Sequence, residues 1–188
     1  MTPPSTLVPS GSQTVGPFFT IGLNDLIERQ SESGAPSNAI QLHGQVMDRD
    51  GAPVVDAMLE FWFADGSGRY PDGAPGTEDM PAGFRRAGTD ENGHFEITLV
   101  KPGASPFGDG RVQAPHCVVL VFARGLLRHL MTRVYFAGEA ANAADPVLEQ
   151  VPADRRQTLM ANPEESGDRS FRWNVVLQGT GETAFFAW

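Results

Sequence analysis

The sequence predicts a mainly β fold, an antiparallel β-sandwich with loops and short helices. Three observations carry this. Apolar residues alternate with polar ones in short runs. Turn signals separate those runs at about ten-residue spacing. The 21 glycines and 15 prolines in 188 residues suit many turns rather than a helical bundle.

The elements follow in order. Residues 1–12 are rich in Pro, Ser, Thr and Gly and read as an extended arm. Residues 13–23, QTVGPFFTIGL, have neither a helical nor a strand period, and a short helical turn fits residues 25–29. Residues 1–38 are thus set apart from a single sandwich domain over 39–188, with no internal repeat and no second domain. Ile40, Leu42, Gly44 and Val46 share one face of a first strand, and Asp50-Gly51 marks a turn. Ala57, Leu59, Phe61 and Phe63 share a face of the next strand, with Trp62 on the other. Residues 64–83 form a loop and 89–93 another turn. Phe95, Ile97 and Leu99 then alternate with His94, Glu96 and Thr98, and Lys101-Pro102-Gly103 ends that strand. Residues 116–123, HCVVLVFA, are almost continuously apolar and predict a central strand, and 130–136 another. Residues 145–162 switch to helical spacing through Leu148, Val151, Arg155 and Leu159, while 171–177 and 183–188 return to strand.

Charge narrows the function. A formal net charge of −9, with basic residues only singly or in pairs, argues against nucleic acid. An anionic small ligand then needs a local arginine to overcome long-range repulsion. A single cysteine, Cys117, excludes an internal disulfide framework and fits a reducing compartment. The first residues lack the basic and apolar segments of a secretory signal, and no apolar run approaches the ~18 residues of a membrane span. The expectation is a cytoplasmic protein.

Few residues carry chemistry. There is no HxH, HExxH, CxxC or GxSxG pattern. His43 and His94 fall on outward strand faces and His129 precedes a strand, so all three read as solvated. His116 opens an apolar strand and reads as a hydrogen-bonded core histidine or a ligand. Arg133 lies inside an apolar strand, where an unpaired guanidinium is costly. It is either half of an internal ion pair or an anion clamp, since a guanidinium binds a carboxylate bidentately.

Four segments in order then carry a resemblance. Residues 42–70 contain LxGxV, Gly51, Leu59-Glu60-Phe61 and Gly68-Arg69-Tyr70. TDENGHFEITLVKPG at 89–103, APHCVVLVFARG at 114–125 and TRVYF at 132–136 follow, with QTVGPFF before them and GETAFFAW at the end. The chain resembles the intradiol ring-cleavage dioxygenases. The resemblance implies a β-sandwich core and a ferric iron held by two tyrosines and two histidines. It also implies a catechol substrate whose ring is opened by O2.

Carried over residue by residue, the ligand set is degenerate. Tyr70 matches the first tyrosine, but Ser105 stands at the second. His116 matches the first histidine, but Val118 stands at the second, and Gln113 replaces an arginine of catalytic chains. Neither serine nor valine substitutes for a phenolate or an imidazole. The resemblance therefore implies an alpha-type chain without iron, whose Fe(III) is held by a homologous beta subunit in a hetero-oligomer. The implied substrate is protocatechuate with O2, opened to 3-carboxy-cis,cis-muconate. The implied contribution of this chain is one wall of the pocket: Thr14, Gly16, Pro17, Phe18 and Arg133, with Arg133 toward the substrate carboxylate. The family often has tyrosine where Phe18 stands. Phe18, Phe19, Phe185, Phe186 and Trp188 are candidates for the subunit interface. Two other readings compete: a non-enzymatic sandwich binding module, and a homomeric enzyme for another catechol. The second is disfavoured because Tyr135, the only other tyrosine, lies in a strand and not near the KPG turn.

Overall fold

The computed structural model describes residues 10–16, 22–23, 37–70, 83–165 and 167–187. The helical turn expected at 25–29, loop residues 71–82 and residues Pro17, Phe18, Phe19 and Trp188 lie outside that description.

The alternating runs form strands where expected. They are β1 (Ala39–Met47), β2 (Met58–Phe63), β3 (Phe84–Gly88), β4 (His94–Val100), β5 (Ser105–Pro106), β6 (Val112–Gln113), β7 (His116–Phe122), β8 (Leu130–Phe136), β9 (Met160–Glu164), β10 (Gly167–Arg172) and β11 (Val175–Val176). Among the described residues, nine of these make one sheet. Its path runs β11–β1–β10–β9–β8–β7–β2–β3, with β4 on the free side of β1 and β5–β6 as a separate pair. The sheet bends over itself until its ends meet, and Arg85 of β3 donates to the Thr98 carbonyl of β4 at 3.2 Å. β7 lies between β2 and β8, which is the central position its apolar run predicts.

The period-2 faces meet in the middle. Ile40, Leu42, Val46, Phe95, Ile97, Leu99 and Phe171 come from one layer, and Leu59, Phe61, Val119, Val121, Val134 and Phe136 from the other. Each side chain fully buried in this way contributes about 1.5–3 kcal/mol. Gly44 lies where the layers leave no room: a Cβ there would come within 1.6 Å of the Trp173 carbonyl oxygen.

One turn device recurs along the chain. Asp48, Asp65 and Asp90 each stand three residues before a glycine with φ of 78, 81 or 72°. Each carboxylate accepts the N–H groups two and four residues ahead, at 2.8–3.0 Å. These self-capped loops explain why the turn signals were readable.

Three features differ from expectation. The sandwich is mixed, because β1–β10, β1–β11 and β8–β9 pair in parallel. A parallel pair needs a long crossover, and the segment read as helical supplies it. Residues 137–159 form only short 3-10 turns, Ala140–Ala144, Leu148–Gln150 and Arg156–Leu159. Pro152 has no N–H to continue a helix and pushes Val151 into an extended conformation, φ −82°, ψ 132°. Leu148, Val151 and Leu159 are still buried, so the spacing reported burial and not helix. The last segment makes one bridge, Phe186 to Met131, instead of a strand. There the backbone N–H of Ala184 is taken by the Thr158 hydroxyl at 3.1 Å.

Candidate functional site

The site is assembled by two loops and the start of β7. In the first loop the Asp65 carboxylate accepts from the Ser67 N–H and hydroxyl and the Arg69 N–H, at 2.8, 2.6 and 3.0 Å. These bonds, the Ser67 hydroxyl first, pull its pKa down to about 2. The Asp65 carbonyl accepts from Gly68 and, across the gap, from Gly103, both at 2.9 Å. Gly68 has φ +81°, and a Cβ would come within 1.8 Å of the Ala104 carbonyl oxygen. The loop is thus pressed onto the KPG turn, which brings Tyr70 beside Ser105.

His116 is 2% exposed. Its Nδ1 lies 2.7 Å from the Ala114 carbonyl oxygen, which only accepts, so Nδ1 carries the proton. Nε2 is then an acceptor, and the Tyr70 hydroxyl donates to it at 3.4 Å. Burial, and then the nearby charge of Arg133, lower the His116 pKa to about 4. The imidazole is neutral at physiological pH. Loss of hydration raises the Tyr70 pKa against the pull of Arg133 and Ser105, so the phenol keeps its proton.

Arg133 stands opposite Val118 in the β7–β8 ladder. Its Nη1 donates to Gln113 Oε1 at 2.8 Å and to the Tyr135 hydroxyl at 3.3 Å. The Gln113 amide nitrogen in turn donates to the Pro106 carbonyl at 3.2 Å and approaches the Ser105 hydroxyl at 3.4 Å. The fully buried Tyr135 donates to Asp145 Oδ1 at 3.2 Å. Asp145, also fully buried, accepts the N–H groups of Ala114, Val147 and Leu148 at 2.8, 2.9 and 2.8 Å. Among the described residues Arg133 forms no ion pair with a carboxylate, so the internal ion pair considered from the sequence is replaced by neutral partners.

Tyr70, Ser105, His116, Val118 and Arg133 therefore come together in one cluster. Thr14 does not join them. Its hydroxyl accepts the Gly125 N–H at 2.8 Å, and Arg128 reaches Ser12 at 3.4 Å, both at the turn between β7 and β8. That turn lies beyond Phe122, itself roughly 13 Å along β7 from Val118 at the usual strand rise. Among the described residues, nothing lies within 4 Å of a Cβ built on Gly16. Phe185 and Phe186 are half-buried against this chain's own core.

The other histidines sit elsewhere. His43 is half-buried and 3.1 Å from Glu164, whereas His94 is exposed, 3.7 Å from Asp90. Both line an open cleft of ≈ 700 Å³ over β1 and β4, apart from Tyr70 and Arg133. His129 is exposed and lies against Phe122.

Sequence reasoning missed Asp145. The Asp-Pro pair before Leu148 is a turn and capping signal that could have marked it. Gln113 was noted as a substitution, and its bond to Arg133 needed the fold.

The residues present do not fit a ferric ion. Tyr70 and His116 are spent on each other, Ser105 and Val118 offer no matching donors, and a guanidinium adjoins them. Among the described residues no group of three or more His, Cys, Asp or Glu side chains could hold a metal.

Comparison with known proteins agrees with the architecture. A family model described as "Dioxygenase" matches residues 16–179. The chain is 43% identical to the protocatechuate 3,4-dioxygenase alpha chain of Burkholderia cepacia over 201 residues, covering 97% of this chain and 98% of that one. It is 28% identical over 186 residues to the beta chain from the same organism, covering 92% and 77%. The crystal structure of 3-chlorocatechol 1,2-dioxygenase from Rhodococcus opacus 1CP superposes with a TM-score of 0.61 at 20% identity, covering 77% and 60%. With its mixed β-sandwich, a family model matched over residues 16–179 and 43% identity over almost its whole length, the chain belongs to the intradiol ring-cleavage dioxygenase family.

Proposed function

We propose that this chain is the iron-free alpha subunit of a protocatechuate 3,4-dioxygenase. With a homologous beta subunit that holds Fe(III), it forms the enzyme that opens protocatechuate with O2 to 3-carboxy-cis,cis-muconate in the cytoplasm. The observation that carries this reading is a contrast. The likeness to an alpha chain runs over 97% of the sequence, while Ser105 and Val118 break the donor set. The beta subunit's ferric ion supplies the oxygen chemistry. This chain's part is to bind and orient the ring. Arg133 takes the substrate carboxylate; Thr14, whose hydroxyl is anchored at the β7–β8 turn, tethers the segment whose Gly16, Pro17 and Phe18 supply the wall against the ring. Orientation of this kind is catalysis by positioning.

Purification of the chain alone and together with a homologue that carries both tyrosines and both histidines tests the proposal. Alone it is expected to be colourless, iron-free and inactive, and active with its partner. Stoichiometric iron and ring cleavage by the isolated chain would overturn the reading.

A further inference from the structure

The partners of Arg133 form an ordered relay. The Asp145 carboxylate is fixed by three backbone N–H groups. It accepts the Tyr135 hydroxyl proton, which leaves the phenol oxygen to accept from Arg133 Nη1. On the other side, the Gln113 amide nitrogen is held toward the Pro106 carbonyl, so its oxygen must face Arg133. A carboxylate placed directly on Arg133 would neutralise it and fill its fork. The inserted phenol avoids both. It anchors one nitrogen of the guanidinium through neutral groups and, among the described residues, leaves the remaining N–H groups for a ligand.

We propose that Tyr135 and Gln113 are positioning residues that, backed by Asp145, hold Arg133 in the orientation that selects a carboxylate-bearing ring. This rests on the assignment of Arg133 as the carboxylate clamp. A mobile arginine would lose rotamer entropy on each binding event, and an anchored one does not.

The test uses the assembled alpha–beta enzyme and two ligands: protocatechuate as substrate, and catechol, which lacks the carboxylate, as competitor. Tyr135→Phe keeps the ring and removes only the hydroxyl, and Gln113→Met serves as an independent second variant. Each is expected to raise the KM for protocatechuate about tenfold, the scale of one lost hydrogen bond to a charged group. The inhibition constant of catechol should move less than about twofold, because catechol cannot use the guanidinium. A purely structural role would weaken both ligands in parallel, and that result, or no change in either, would overturn the proposal. Arg133→Met separates it from the underlying assignment. If Arg133→Met abolishes the discrimination but neither relay variant alters it, only the relay is wrong. If Arg133→Met leaves the discrimination intact, the clamp assignment itself fails. Asp145 is left unchanged because it also satisfies three backbone groups.

Discussion

Val118 and Arg133 face each other across adjacent strands, so a guanidinium borders the position that the resemblance assigns to a second histidine. A fixed positive charge there opposes a metal cation. Val118→His is therefore expected to leave ferric uptake at background in the isolated chain, since Ser105 still offers no phenolate. Metal analysis after loading with ferric salt checks this, and one iron per chain would refute it.

His116 gives the chain an acid-side instability. Its pKa falls from 6.5 to about 4 on folding, chiefly through burial. Between those values the unfolded chain binds a proton that the folded chain does not. The stabilisation is therefore complete above about pH 6.5 and is lost as pH falls toward 4, at up to about 1.4 kcal/mol per pH unit. Urea denaturation at pH 7 and pH 5 should show the loss. In His116→Gln the difference between the two pH values should shrink by this contribution.

Asp145 concentrates backbone satisfaction in one side chain. Asp145→Ala leaves the N–H groups of Ala114, Val147 and Leu148 without an acceptor, along with the Tyr135 hydroxyl. The expected loss is about 3–5 kcal/mol, the range for breaking a buried polar network. Asp145→Asn should recover part of it, since one oxygen can still accept. Equilibrium denaturation of the two variants provides the comparison.

Cys117 is fully buried on β7, and burial drives its thiol pKa well above the ordinary value. It should be inert to a disulfide reagent in the folded protein and react with one equivalent once urea unfolds it. Rapid labelling of the native chain would show that β7 opens more readily than its central position allows.

Local chemistry made much of this legible. Alternation at Leu42–Val46, Leu59–Phe63 and Phe95–Leu99 located strands because each has one buried face. Asp50-Gly51 and residues 89–93 located turns, and in the structure Asp48 and Asp90 cap the backbone of those turns. The parallel pairing of β1 with β10 was not legible, since nothing local to either strand names its neighbour. Residues 145–162 misled because burial at Leu148, Val151 and Leu159 matched a helical period, although Pro152 was there to forbid it. In the site, His116 and Arg133 stood out by their places in apolar strands, and Tyr70, Ser105 and Val118 entered through the resemblance. The relay through Tyr135 to Asp145 joins residues whose spacing has no signature of its own. Thr14 and Arg133 were expected to line one wall, and only the fold shows the hairpin's length between their anchoring points.

The pairing of β1 also sets an order of events during synthesis. Gln45 donates to Asn174, 129 residues later, and β10 and β11 pair with residues 41–43 and 46–47 on the edge of β1 opposite β4. Until residues 170–176 leave the ribosome, that edge has no strand partner among the described residues. Contacts of such long range are slow to form, and an open strand edge invites pairing with another chain. A shortened chain ending before Gly167 would thus fail first at its opposite end, through aggregation at β1.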